Sequence, residues 1–225
     1  MSTAVAKAPS AVIVLAAGAG TRMKSETPKV MHPIGGRSMV EHAIAAAQDL
    51  RPQRLAVVVR HKRDKVAAHV TAFDPSVTIV DQDDVPGTGR AVEVGLLGLD
   101  ESATVEGTVV VTYGDVPLLR SETLKELIAV HELDGNAVTV LTTNIANPGA
   151  YGRIVRNAAG EVTAIVEAKD ATDEQLTITE INSGIYAFDA AVLRDSLKQV
   201  TTDNSQGEKY ITDVLEIARH AGHRP

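Results

Sequence analysis

Unbroken runs of apolar, largely β-branched residues constrain the fold of this 225-residue chain more than any other feature. The first half of the chain contains four of them, at residues 12–17, 55–59, 77–80 and 108–113. A strand that is apolar on both faces is covered on both faces, as in a parallel sheet between two layers of helices. The sequence therefore predicts an α/β fold with a mostly parallel sheet.

The segments between these runs are predicted to be helices, because several of them open on residues that cap helix N-termini. Strands that alternate with helices of this length form βαβ units. The predicted helices are residues 39–50 behind a Ser38/Glu41 capping box, 122–131 behind Ser121, 190–200 behind Asp189, and a last helix at 211–220.

The pattern changes after Thr143. Residues 152–156 and 161–167 flank a four-residue turn and predict an antiparallel hairpin. A further strand is predicted at 184–188. The second half of the chain therefore adds an antiparallel excursion to the parallel sheet.

Composition excludes several classes of protein. Without cysteine, the chain has no disulfides, thiolate nucleophiles or cysteine zinc sites. A net charge of −7 and an aromatic content of 3% disfavour nucleic-acid binding. No apolar run approaches the roughly 20 residues of a membrane span, and the run at 11–17 is short for a signal peptide. We expect one cytoplasmic domain over residues 11–225, behind a flexible tail at residues 1–10.

In an open parallel sheet, ligands bind beyond the carboxyl ends of the strands, so the residues after each strand form the predicted site. After the first strand, Gly18 and Gly20 permit the positive φ angles of an anion-binding nest over residues 18–21. A dinucleotide fingerprint would need a small residue where Met23 stands, and the sequence lacks the Gly-Lys-Ser/Thr of a P-loop. The loop is therefore predicted to bind phosphate in another way.

Two cations follow the glycines in the same loop. Arg22 and Lys29 could close over one polyphosphate, because Pro28 disfavours helix at Thr27 and keeps the stretch open. Residues 1–70 hold 11 Lys and Arg against 4 Asp and Glu, which suits anionic ligand groups. A surface turn with two solvated cations is the alternative.

A second glycine-rich turn follows the third strand. Gly87 and its neighbours could wrap a base and ribose, and the amide of Gln82 matches N3–H and O4 of uracil. Turned over, the same amide suits cytosine, so Gln82 alone leaves the base open. The turn also suits the start of a helix near Thr88.

The fourth strand leads to Asp115, at a place where water is scarce and an isolated carboxylate is costly. Beside phosphate-binding loops, Mg²⁺ is its natural partner, with an ordinary turn aspartate as the alternative. Around the predicted hairpin, Gly152 could bring backbone without a side chain close to a sugar. Glu167 and Asn182 could supply polar partners for the hydroxyl and amide groups of the sugar. Turn formation is the alternative role for these three residues.

Taken in order, these motifs resemble those of sugar-nucleotide pyrophosphorylases. Among them, the chain is most similar to the amino-terminal uridyltransferase domain of the bacterial bifunctional uridyltransferase/acetyltransferase family. The motifs are residues 15–23 (LAAGAGTRM), 27–32 (TPKVMH), 87–89 (GTG), 113–118 (YGDVPL), 151–154 (YGRI), 165–170 (IVEAKD), 181–186 (INSGIY) and 207–213 (GEKYITD).

The resemblance implies a Rossmann-like nucleotide-diphospho-sugar transferase fold. It also implies Mg²⁺-dependent transfer of uridyl from UTP to N-acetylglucosamine 1-phosphate, in the synthesis of peptidoglycan precursors. Arg22, Lys29 and Asp115 would be catalytic, with Asp115 as the metal ligand. The substrate-binding residues that it implies are Leu15, Ala16, Ala17, Gly18, Gln82, Gly87 and Thr88 for uridine, Lys29 for phosphate, Gly152, Glu167 and Asn182 for the sugar, and Tyr113, Gly114 and Asp115.

Two features of that family are not found in these 225 residues: a second metal ligand, an asparagine, and a β-helix of hexapeptide repeats that carries the acetyltransferase. We therefore expect a truncated monomer with impaired metal binding, no acetyl transfer and no β-helix trimer. Another sugar-nucleotide or cytidylyl transferase and a catalytically silent nucleotide-binding module are the alternatives. Met23 disfavours a dinucleotide oxidoreductase. No nucleic-acid or membrane partner is expected.

Overall fold

The computed structural model describes residues 7–225, so the first six residues of the predicted tail lie outside the described residues. The strands are β1 (Ala11–Leu15), β2 (Pro33–Ile34), β3 (Arg37–Ser38), β4 (Arg54–Val59), β5 (Thr78–Asp81), β6 (Thr108–Tyr113), β7 (Val138–Asn144), β8 (Arg153–Arg156), β9 (Val162–Val166) and β10 (Glu180–Asp189). The α-helices are α1 (Met39–Gln48), α2 (Arg63–Phe73), α3 (Thr88–Asp100), α4 (Ser121–Asp134), α5 (Asp173–Leu176), α6 (Ala190–Leu197) and α7 (Asp213–His220). No helix within residues 7–225 combines the length and apolar character needed to span a bilayer.

The main sheet has a parallel half in the order β5-β4-β1-β6. At its centre, Ile13 of β1 pairs with Ala56 of β4 and with Val111 of β6. Beyond β6 the sheet becomes antiparallel, because β10 pairs with β6 and β7, and also contacts the β8–β9 hairpin. The predicted mostly parallel sheet with an antiparallel excursion is confirmed.

Alternate residues of β1 belong to two hydrophobic cores, one on each face of the sheet. Ile13 belongs to a core that includes residues of α3, α6 and α7, whereas Val12 belongs to one that includes residues of α1, α2 and α4. Every residue of β1 is buried, which explains why its sequence shows no polar alternation.

A glycine allows close packing of α3 on the sheet. In α3, a Cβ on Gly95 would lie only 2.8 Å from Ile13 Cγ2. Glycine at this position lets the helix lie directly on the sheet, with its first turn beside the strand ends.

The first residues of the helices show which of the predicted N-caps form. At α1, Glu41 N donates to Ser38 Oγ at 3.3 Å and Ser38 N donates to Glu41 Oε2 at 2.7 Å, which is the predicted capping box. At α6, the Asp189 carboxylate accepts from two backbone N–H groups, as predicted. The prediction for Ser121 is wrong, because α4 already begins at Ser121 and Arg120 holds the N-cap position without a side-chain hydrogen bond.

Candidate functional site

A cleft of about 1160 Å³ opens where β1, β4, β5 and β6 end. The carboxyl ends of these parallel strands bring separate loops to one place, as expected for an open α/β sheet. The predicted site residues that line this cleft are Leu15, Ala16, Ala17, Gly18, Arg22, Lys29, Gln82, Gly87, Thr88, Tyr113 and Asp115.

The loop after β1 is built so that its glycine turn packs on Lys29. Gly20 has φ = 61°, and a Cβ there would lie 2.6 Å from Lys29 Cβ, so only glycine fits. Arg22 lies in a short 3₁₀ turn, Thr21–Met23, and is exposed. The predicted positive φ is wrong for Gly18, which is not among the glycines in that conformation within residues 7–225. Gly18 instead leaves open space beside the backbone, since nothing lies within 4 Å of its missing Cβ.

Lys29 and Asp115 meet in the cleft although 86 residues separate them in the sequence. Lys29 Nζ donates to Asp115 Oδ2 and forms an ion pair with it. The two side chains remain 34% and 27% exposed, so a ligand in the cleft can reach both. A phosphate entering here would compete with Asp115 for the ammonium group.

Gln82 organises the turn that follows β5. Its Nε2 donates to Val85 O and to Gly87 O, each at 3.1 Å. The carbonyl oxygens of Val85 and Gly87 can only accept hydrogen bonds, so the Gln82 amide must turn its nitrogen toward them. Its Oε1 then points away from these two carbonyls and can accept a hydrogen bond. Thr88, which follows Gly87, is the first residue of α3, and its Oγ1 accepts a hydrogen bond from Ile211 N at 3.1 Å.

Tyr113 lines the cleft and lies against the backbone of β10 at Gly184. Burial raises the pKa of Tyr113, and the negative charges of Glu167 and Asp115 add to the rise. Gly184 has φ = 84°, and a Cβ there would lie 2.5 Å from Tyr113 Cε2, so glycine makes room for the ring. Gly114 N donates to Leu15 O at 2.9 Å, which joins the loop after β6 to β1.

The predicted sugar residues Gly152, Glu167 and Asn182 come together beside this cleft, although they are not among the residues that line it. A Cβ on Gly152 would lie 3.6 Å from both Asn182 Cβ and Glu167 Oε1. Asn182 N donates to Gly152 O at 2.9 Å. The Asn182 amide also holds a bulge in β10, because its Nδ2 donates to Tyr186 Oη at 2.7 Å and its Oδ1 accepts from Gly184 N at 2.8 Å.

Glu167 lies in negative surroundings. Burial raises the pKa of Glu167, and the charges of Asp213, Asp170 and Glu208 act in the same direction. A hydrogen bond from Thr212 Oγ1 to Glu167 Oε1, at 3.4 Å, opposes the rise. Hydroxyl groups of a ligand that donate to Glu167 would replace the hydration that burial removes.

The cleft is also lined by residues that the sequence analysis missed, namely Arg60, His61 and Lys62 after β4, together with Tyr151 and Glu208. The first three directly follow a predicted strand, so the position rule for parallel sheets could have found them. Tyr151 and Glu208 lie in the motifs at residues 151–154 and 207–213, but the strand-end rule does not place them here, because only the tertiary fold brings their segments to the cleft.

Asp115 suits a divalent cation that is shared with a ligand. Within residues 7–225, no group of three or more His, Asp or Glu side chains is arranged to hold a metal ion. Mg²⁺ is usually bound by one or two carboxylates and completes its shell with water and substrate phosphates. A single carboxylate beside Lys29 in the cleft therefore fits an ion that binds together with a phosphate-bearing ligand.

The chain is similar to known NTP transferases along most of its length. Residues 12–181 match the family described as the MobA-like NTP transferase domain. The chain belongs to this family. Its activity is therefore that of a nucleotidyltransferase, and such enzymes generally depend on a divalent metal ion.

Curated relatives of this MobA-like domain include proteins named "Bifunctional protein GlmU". Identity is 67% for the protein of Paenarthrobacter aurescens, 60% for that of Micrococcus luteus and 58% for that of Streptomyces avermitilis, each over 96% of this chain. The chain spans 44%, 46% and 45% of these relatives, respectively, which is less than half of their length.

Among solved structures, the domain is similar to a UDP-glucose pyrophosphorylase complexed with UDP-glucose. The TM-score is 0.74 at 19% sequence identity, and the match covers 96% of this chain and 89% of that chain. The likeness confirms the nucleotide-diphospho-sugar transferase fold that the sequence predicted.

Proposed function

We propose that this domain transfers uridyl from UTP to N-acetylglucosamine 1-phosphate and releases pyrophosphate, a reaction that supplies a precursor of peptidoglycan. The observation that carries the proposal is the Lys29–Asp115 pair, which lines the same cleft as Gln82, Gly87 and Thr88. The high identity to proteins named GlmU over 96% of the chain supports the same substrates.

Selection of uracil follows from the fixed amide of Gln82. Both hydrogens of its Nε2 are taken by Val85 O and Gly87 O, so Oε1 faces a base as an acceptor. Uracil N3 carries a hydrogen that this oxygen can accept, whereas cytosine N3 is itself an acceptor. The alternative that the sequence left open, cytosine, would therefore place two acceptors against each other.

Transfer requires charge neutralisation more than covalent help from the protein. A phosphate oxygen of the sugar phosphate attacks the α-phosphorus of UTP, a new P–O bond forms in line, and the bond to the β-phosphate oxygen breaks. Two like charges about 4 Å apart repel by roughly 4 kcal/mol at an effective dielectric constant near 20. Lys29 and Arg22 line the cleft where these oxygens would gather. When bound at Asp115, Mg²⁺ supplies further positive charge there.

On the sugar side, backbone at Gly152 and the side chains of Glu167 and Asn182 bind the N-acetylglucosamine part. Asn182 already uses one amide hydrogen and one lone pair within β10, which leaves one donor and one acceptor position for the sugar. Leu15, Ala16, Ala17 and Gly18 approach the nucleoside from the end of β1. We place this activity in the cytoplasm, where UTP is available, and expect residues 11–225 to act as one monomeric domain.

The test is pyrophosphate release in the presence of Mg²⁺, measured for UTP, CTP and TTP with N-acetylglucosamine 1-phosphate or glucose 1-phosphate. The proposal predicts the highest kcat/KM for UTP with N-acetylglucosamine 1-phosphate. A preference for CTP or TTP would contradict the assignment of the base. Binding of UTP without any pyrophosphate release would indicate a silent nucleotide-binding module instead.

A further inference from the structure

The nucleotide turn is supported from behind by a segment more than 100 residues later in the chain. Lys209 N donates to Pro86 O at 3.0 Å, and Gly89 N donates to Lys209 O at 2.8 Å. Gly87 has φ = 115°, and a Cβ there would lie 2.2 Å from Lys209 O. The backbone at Lys209 is therefore in direct contact with the turn, so any shift of the one displaces the other.

The side chain of Lys209 fixes this segment to α3. Lys209 Nζ donates to Glu93 Oε2 at 3.2 Å and to Leu197 O at 3.5 Å. Glu93 also accepts from Arg90 Nη1 at 2.8 Å. The side chains of Lys209 and Glu93 are only 21% and 18% exposed, so water screens this pair less than it screens a surface pair.

The contacts form a continuous connection from α3 to the base-binding amide. Glu93 holds the Lys209 side chain, the Lys209 backbone packs against Gly87, and Gly87 O accepts from Gln82. Lys209 itself touches neither Gln82 nor the cleft, whose lining does not include it. Its contribution to nucleotide binding is thus to hold the turn in place.

We propose that Lys209 is a positioning residue for the nucleotide half of the site, acting through its ion pair with Glu93. The identity of the nucleotide, UTP, rests on the proposed function. The role of Lys209 does not depend on which base the turn accepts.

The test compares Lys209→Met with Lys198→Met. Lys198 also pairs with a carboxylate, Asp195 Oδ1 at 2.9 Å, but its side chain is 65% exposed and is not among the residues that line the cleft, so it serves as a control. Lys209→Arg keeps the charge and should restore binding. Loss of the ammonium group leaves Glu93 paired with Arg90, so Lys209→Met creates no isolated carboxylate and is expected to fold.

For Lys209→Met we expect the Kd of UTP in calorimetry and the KM for UTP to rise about five- to tenfold. This is less than the roughly tenfold or more that a charged hydrogen bond contributes, because Lys209 acts on the nucleotide only through the turn. The KM for the sugar phosphate and kcat should stay within about twofold of the wild type, because only the nucleotide turn is loosened. Lys198→Met should match the wild type. If Lys209→Met does not fold, Glu93→Gln removes the same ion pair and should show the same selective rise.

Unchanged UTP affinity in folded Lys209→Met, or an equal loss in kcat and both KM values, would overturn the proposed role. So would a failure of Lys209→Arg to restore binding. A different outcome, in which the wild type prefers another nucleotide, would refute the uridyl assignment only. The same comparison of variants made with that nucleotide would still decide the role of Lys209.

Discussion

Replacing Gln82 by methionine tests the origin of base selection. The substitution keeps the length of the side chain but removes two bracing hydrogen bonds, to Val85 O and Gly87 O. It also removes Oε1, the acceptor that we propose faces the base. Each neutral hydrogen bond contributes about 1 kcal/mol. The two carbonyls face partly exposed surroundings where water can replace their donors, so we assign about 1 kcal/mol in all to the loss of the brace.

The expected losses differ between nucleotides. UTP loses both the brace and the bond to uracil N3–H, about 2 kcal/mol or roughly a 30-fold rise in Kd. CTP loses the brace but also loses the acceptor that opposes its N3, so its Kd rises by at most about fivefold. Calorimetric titration of both nucleotides should therefore show the preference for UTP over CTP falling by about sixfold or more in Gln82→Met. Gln199→Glu is the control, because Gln199 is an exposed amide that also donates to a backbone carbonyl. A preference unchanged by Gln82→Met would refute the reasoning.

Three further predictions concern other parts of the site. Lys29→Met should lower kcat/KM for pyrophosphate release by about 100-fold or more, because roughly 3–4 kcal/mol of charge neutralisation is lost. A loss of less than about fivefold would contradict the catalytic role. Gly20→Ala, whose Cβ would lie 2.6 Å from Lys29 Cβ, should raise the KM for UTP in the same assay without abolishing folding as followed by circular dichroism. Burial raises the pKa of Asp213 to about 6 from its ordinary value of 3.8, so its contribution to stability is complete below about pH 4 and is lost as the pH rises through 6. Asp213→Asn should therefore raise the free energy of unfolding in urea by about 1 kcal/mol at pH 7.5, after allowance for solvent screening, and leave it unchanged at pH 4. Equal gains at both pH values would contradict this prediction.

Much of the sheet could be predicted because its central strands are buried on both faces. β1, with every residue buried, leaves an apolar run without polar alternation, as does β6. β7 was missed because its residues are mostly half-buried, and its sequence, VTVLTTN, lacks an unbroken run. The start of α2 could not be predicted for a related reason, since its N-cap, Lys62, has φ = 49° and offers no capping side chain to recognise.

For the candidate site, the sequence predicts which loops meet, because loops that follow parallel strands gather at one edge of the sheet. Lys29 and Asp115 were predicted on separate loops, and the fold brings them into contact. The sequence could not indicate the direction of the Gln82 amide, which depends on two carbonyls that only the folded turn supplies. Lys209 lies in the motif at residues 207–213, but the sequence assigns it no role, because its contribution depends on contacts with Glu93 and Gly87, both more than 100 residues away.

The position of a bound product tests the central claim most directly. In a crystal structure with UDP-N-acetylglucosamine and Mg²⁺, we expect uracil N3 within hydrogen-bond distance of Gln82 Oε1 and the diphosphate beside Lys29. Density for the product elsewhere, for example in the cavity of about 580 Å³ lined by Lys7, Arg51 and Lys125, would contradict the account.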